Sequence, residues 1–303
     1  MSTVIGETGT TRSHYKLSFF RILRSEWIKL FSVRSTWWIL SIAIVLNVGI
    51  ILGLTAALRF TEKMLQDDLG KVIGPDGVPI EIEPGAFGLL SANVVQSCGF
   101  VGQLIFIILS ILIITNEYSS GMIRSTFAAA PRRGRVLIAK MIVISIICIL
   151  VFAISLTAGW WGSYLMLQDS VAVDLTLTSD TSLRILGGFV AEMVLISLFC
   201  FGLGAFIRST AGSIGAAIGI IFILPLIMSV LVGVLSSAGE PTGWLQWLVD
   251  GVAFLPTNAG GLVTQAELPE GSILGPWEGL GVLGAWAVLS NIIAFITTAR
   301  RDV

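Results

Sequence analysis

The sequence predicts an all-α membrane protein: six transmembrane helices, an N-terminal cytoplasmic amphipathic helix, and a long last outer loop holding short re-entrant or outer helices. Three observations predict it. Of 303 residues, 55% are hydrophobic and 12% charged, with mean hydropathy +0.92, where soluble domains carry about 25% charged residues. Six apolar windows meet or approach the roughly 20 helical residues that cross a hydrocarbon core of about 30 Å. Lysine and arginine are segregated, fourteen of the eighteen falling on one proposed side.

Residues 1–14, rich in Ser, Thr, Gly and Glu, are expected to form a disordered cytoplasmic tail, and 15–303 a single six-span domain. The first apolar run is too long for a signal-peptide core and follows 36 mixed, basic residues, so no cleaved leader is expected. From Tyr15 to Ser32 the pattern is helical and two-faced. Leu17, Phe19, Phe20, Leu23, Trp27, Ile28, Leu30 and Phe31 share one half; Ser18, Arg21, Ser25, Lys29 and Ser32 share the other. Arg24 interrupts the apolar half, where its long stem would have to snorkel. A basic helix with aromatic anchors beside a span fits the inner interface; an ordinary juxtamembrane anchor is the alternative.

The spans are placed at about 37–58, 95–115, 136–156, 185–207, 211–235 and 280–297, with a start near Pro276 as the alternative for the last. Six spans put both termini on one side, and the positive-inside rule makes that side cytoplasmic in the plasma or inner membrane. Arg59, Lys63, Lys71 and Arg184 remain outside, against fourteen acidic residues there. The first outer loop, about 59–94, contains GPDGVP, a turn signal that would close a small hairpin. The second, about 166–183, alternates apolar and polar residues from Val171 to Thr178. Only Arg208 to Thr210 join spans four and five, which forces a helical hairpin. Pro225 removes a backbone hydrogen bond and should kink span five.

Between spans five and six, residues 236–279 are too apolar for a solvated loop. Trp244, Leu245, Trp247, Leu248, Val252 and Phe254 cluster before FLPTNAGG. Two short helices or re-entrant segments returning at Pro256 are expected, an outer domain being the alternative. Gly49 with Gly53, Gly215 with Gly219, and Gly212 with Ala216 stand at helical spacing and are read as internal packing seams.

Chemistry is narrowed by what the chain lacks. Its one histidine, His14, lies in the tail, so no intramembrane Ser-His dyad or histidine metal site can form. Cys98, Cys148 and Cys200 have no metal or redox spacing and read as packing residues. No G-x-x-x-x-G-K-[ST] occurs, so the chain has no P-loop for ATP phosphates. Among intramembrane polar residues, the default markers of a path, Glu192 is the only acid well inside a span, with Asn47, Gln103 and Asn291 as companions.

The segment from Asn116 to Lys140, NEYSSGMIRSTFAAAPRRGRVLIAK, is the most distinctive. Ser119 or Ser120 caps a short helix expected from Met122 to about Ala129, which Pro131 and Gly134 stop. Met122, Ile123 and Phe127 give it an apolar face; Arg124, Arg132, Arg133 and Arg135 make its surroundings basic. Insertion into a groove on a soluble partner and binding of anionic headgroups both suit such a helix.

This run resembles the loop after the second span in permease subunits of type-2 ATP-binding-cassette exporters, with their E-[YF]-x-x-G-x-[IL]-[KR] and P-x-x-R patterns. The N-terminal RSEWIKL followed by TWW, and the late LPTNA, are similar to the same permeases, so the resemblance covers nearly the whole chain. It implies an exporter subunit, not itself an enzyme, that forms a twelve-helix pore with a second permease, as homodimer or heterodimer. Two cytoplasmic ATPases would bind ATP and magnesium, this chain binding no cofactor itself. Glu117, Gly121, Arg124, Phe127, Pro131, Arg132 and Arg133 would form the ATPase-coupling loop, and Arg24, Glu26, Trp27 and Lys29 the connecting helix. Membrane lipid is the other expected partner, and nucleic acid is not one. A secondary transporter or a non-transporting membrane scaffold is the alternative; the former normally shows paired broken spans, and only Pro225 breaks one here.

Overall fold

The computed structural model describes residues 18–69, 83–122, 133–236, 243–269 and 271–300. Among them the chain is nearly all helical, without strands. Ten α-helices follow in order: α1 (Phe19–Ser32), α2 (Arg34–Leu69), α3 (Leu90–Ser119), α4 (Arg133–Leu167), α5 (Asp180–Ile207), α6 (Thr210–Ile218), α7 (Leu224–Ser236), α8 (Trp244–Val252), α9 (Pro256–Gly261) and α10 (Pro276–Arg300). A π-turn, Gly219–Ile223, fuses α6 to α7, and a 3₁₀ turn, Leu262–Thr264, comes directly after α9. Helices α2, α3, α4, α5, α6–α7 and α10 are long and apolar enough to cross a membrane. The chain is a multi-pass membrane protein.

All six spans outrun their sequence-read windows, α2 and α4 the most. Helix α2 continues to Leu69 and α4 to Leu167, so the outer loop expected from Arg59 begins about three turns later, while the second begins close to the expected residue 166. Hydropathy marks where a helix meets polar surroundings, not where its hydrogen bonds stop. The extensions pair with each other. Thr55 and Ser163 hydroxyls lie 2.7 Å apart. The buried Glu62 carboxylate accepts from the Arg59 guanidinium at 2.7 Å, the Ser170 hydroxyl at 2.8 Å, and the amides of Val171 and Ala172. The segment after α4 also runs alongside residues 85–90: the Phe87 amide donates to Ala172 and the Leu90 amide to Asp174, with a single parallel bridge between Leu89 and Asp174. The expected alternation at 171–178 is thus spent on one bridge. The GPDGVP turn lies outside the described residues.

Helix α5 is the centre of the bundle, packing on α3, α4, α6 and α10. Ser179 caps its start by accepting from the Ser182 amide, and Asp180 complements the helix dipole there. It ends at Arg208 in the left-handed region, φ 59°, and Ser209 caps α6, which makes the tight hairpin expected at 208–210. Phe106, Phe152 and Phe189, from α3, α4 and α5, stack at centroid distances of 4.9 and 5.3 Å in the core. The three cysteines are buried and free.

The close helix seams are not those the spacing suggested. A methyl group added at Gly49, Gly53, Gly215 or Gly219 meets no described atom within 4 Å, whereas Gly212 lies near its own turn. At Gly159 and Gly162 on α4 it collides with Ile51 and Leu52 of α2, and at Gly202 on α5 with Ser290 and Asn291 of α10. Small residues three or four apart define a face, and only packing decides whether a neighbour covers it.

Span five departs from a regular helix where the sequence placed its kink. The π-turn delivers the Leu224 amide to Gly219, five residues back, just ahead of Pro225. Pro225 has no amide to offer the Ile221 carbonyl, which accepts instead from the Thr257 hydroxyl of α9 at 2.8 Å. The two short helices α8 and α9 occur where expected. Pro256, Ala259, Gly260 and Val263 are buried, and the Arg184 guanidinium secures the backbone beyond α9 by donating to the carbonyls of Val263, Gln265 and Ala266.

Candidate functional site

Helix α1 lies against α4 and α2 at one end of the bundle, and its buried positions are Ile22 and Glu26. An acid is thus among the buried positions, and Phe20 and Ile28 of the apolar half are not. Both are exposed, and with Arg24 between them they form an outward stripe at i, i+4, i+8. Arg24 thus points away from the bundle. Trp27 stacks on Phe31 at 4.8 Å, and Phe31 on Trp37 at 5.2 Å; the Trp37 indole also donates to the Phe31 carbonyl.

Glu26 meets a four-charge node. Lys140, in the second turn of α4, donates to Glu26 at 2.5 Å and to Glu117, in the last turn of α3, at 2.8 Å. Lys29 donates to Glu26 at 2.8 Å and reaches Glu117 at 3.4 Å. Two carboxylates and two ammonium groups alternate, so the node is formally neutral. Burial acts to raise the Glu26 carboxyl, but attraction and hydrogen bonding from Lys140, then Lys29, hold it below the usual carboxylate range. Burial acts to lower the Lys29 ammonium, and Glu26 and Glu117 hold it above its ordinary value. Such a node is costly to break at one member: removing one partner of a buried pair leaves an uncompensated charge, at about 3–5 kcal/mol.

The node closes the base of the 116–140 segment. Glu117 stands just before it leaves α3, and Lys140 just after it has entered α4. Gly121, φ 69°, takes the left-handed conformation that ends α3. A cavity of about 360 Å³, lined by Glu26, Lys29, Glu117, Lys140 and Met122, opens beside it. One Glu117 oxygen, Oε2, is buried without a hydrogen-bond partner among the described residues. Arg124, Phe127, Pro131 and Arg132, and with them all of the expected helix beyond Met122, lie outside the described residues; Arg133 opens α4. On the other side, Arg208 covers the Tyr118 ring at 5.1 Å and donates to the Thr297 carbonyl, joining α3 to α10.

Sequence reasoning singled out Glu26, Lys29 and Glu117 but used Lys140 only to mark the end of the loop. The signal was present: Lys140 is the only Lys or Arg inside any of the six apolar windows. A charge placed there needs a partner.

The four intramembrane polar residues separate. Glu192 and Gln103 line one cavity of about 550 Å³ between α3, α5, the π-turn and α9. Asn47 is wedged in packed surroundings, both amide atoms buried without partners among the described residues. Asn291 donates to Leu198 on α5 and Ala287 on α10, a structural tie.

No protein-family model matches the chain, and no curated protein does. The functional reading therefore rests on the residues and their geometry.

Proposed function

We propose that this protein is the membrane-spanning subunit of an ATP-driven exporter of the type-2 ATP-binding-cassette class, driven by separate ATPase subunits through the 116–140 segment. The observation that carries this reading is the node of Glu26, Lys29, Glu117 and Lys140, all buried but Lys29. It binds an amphipathic helix to both spans that bear the loop, so a push on the loop is delivered to α1, α3 and α4 together. A loop that only obeyed the positive-inside rule needs no such node.

In this reading the α1 end is cytoplasmic, the protein sits in the plasma or inner membrane, and α8 and α9 are re-entrant or outer helices of the last outer loop. The exposed Phe20, Arg24 and Ile28 stripe of α1 faces lipid headgroups. Two ATPases dock on the loop helices of two permease subunits. ATP closure of the ATPase pair shifts the loop, and the node carries that shift into the bundle. The lack of a P-loop in the sequence is then expected, since hydrolysis belongs to the partner chains.

The test is purification from native membranes in mild detergent, followed by an ATP hydrolysis assay. The expected result is a co-purifying P-loop ATPase with vanadate-sensitive hydrolysis. Arg124→Glu, or Pro131→Gly with Arg132→Glu, should lower that hydrolysis and ATPase retention about tenfold while membrane insertion stays intact. Hydrolysis absent from the wild type, or variants that retain ATPase and turnover fully, would sink the assignment.

A further inference from the structure

The cavity of about 550 Å³ has no part in the coupling through the node. It begins far from those charges: Gln103 and Glu117 are fourteen residues apart on α3, about 21 Å along the axis. Its volume falls within the roughly 300–1,000 Å³ of sites that hold drug-sized ligands. Its walls are chiefly apolar and aromatic, from Phe100, Phe189, Phe222 and Met193. Phe100 and Phe222 meet edge to face at 5.0 Å.

Into this lining one ionisable carboxyl, that of Glu192, is set. Glu192 is 5% exposed and makes no hydrogen bond or ion pair among the described residues. Among the described residues no Lys, Arg or His lines the cavity. The nearest cationic group on the same helix, Arg184, is engaged by the three carbonyls of residues 263–266 and stands outside the lining. Gly260 packs closely on the acid: a methyl group there would meet Leu283 at 2.7 Å and the Glu192 Cγ at 3.2 Å. A buried carboxyl without a partner ionises only at a cost, and a ligand bringing positive charge offsets that cost. Phenyl faces attract weakly hydrated cations, an attraction that strengthens on desolvation.

We propose that this cavity is a binding site for an organic cation, an amine or onium of drug size, held by Glu192 and the surrounding phenyl rings. The site stands apart from the ATPase reading, because binding is measured on the purified chain without ATP.

The experiment is equilibrium binding of tetraphenylphosphonium to the protein in detergent, with tetraphenylborate as an anion of the same shape. The expected result is saturable binding of the cation, weakened at least tenfold by Glu192→Gln and largely restored by Glu192→Asp, with no matching loss for the anion. Phe100 is 60% exposed, so Phe100→Leu leaves folding intact; it should weaken the cation about threefold by removing one ring face. Should Glu192→Gln not fold, the Phe100→Leu result decides. Absence of saturable cation binding in the wild type, equal affinity in the wild type and Glu192→Gln, or equal losses for cation and anion would each overturn the proposal.

Discussion

Lys140 and Glu192 are the only basic and the only acidic residue within the six apolar windows, and the structure treats them in opposite ways. Lys140 is fully matched, by Glu26 and Glu117; Glu192 is not matched at all among the described residues. The first is a structural charge and the second is available to a ligand. Lys140→Met should destabilise the protein by about 3–5 kcal/mol, since two buried carboxylates then share Lys29 alone. Adding Glu26→Gln removes the surplus negative charge and should recover at least half of that loss. Thermal unfolding in detergent reads both variants. A Lys140→Met protein as stable as the wild type would show that the node carries no energetic weight.

At the scale of elements, the best example is span five. Its apolar composition and Pro225 were legible in the sequence; the remedy for the missing amide was not, because it comes from Thr257, thirty-six residues from the carbonyl it serves. Thr257→Val should cost about 1–3 kcal/mol by leaving the Ile221 carbonyl unmet. In a Pro225→Ala background the restored amide supplies a substitute, so the same change should cost less than half as much. A double-mutant cycle measured by thermal unfolding checks the coupling, and strictly additive losses would contradict it. The same limit governs the glycines. Gly49 and Gly53 have the spacing of a seam and no neighbour, while Gly202 closes the α5–α10 contact without a notable pattern. Spacing along one helix is local information, and contact is not.

For the whole molecule, apolar length and charge segregation were enough to read six spans, because both follow from the bilayer rather than from side-chain packing. The ends were misread, since α2 and α4 outrun their apolar windows. The loop helix and its arginines were read from a motif, and Arg124 and Pro131 lie outside the described residues, whereas the node at the loop's base emerges only when α1, α3 and α4 are assembled. The proposed orientation has a direct check. The three native cysteines are buried, so a single cysteine at the exposed Ser120 or Gln168 is a clean probe. An impermeant maleimide added to intact cells should label Gln168→Cys and spare Ser120→Cys until the membrane is opened; the reverse pattern would invert the topology.

Helix α2 has 36 residues and α4 has 35, each about 54 Å long and far taller than a hydrocarbon core of about 30 Å. They are tied together through Thr55 and the Glu62 contacts at the far end, and Lys140 ties α4 to α1 and α3 at the near end, so under the proposed coupling they would swing as a stiff pair. A tilt of about 5° at the base sweeps a point about 54 Å away through roughly 5 Å. The proposed coupling would therefore gain mechanical advantage from this pair: a displacement smaller than one side chain near Lys140 would become one as wide as a helical turn beside Ser170.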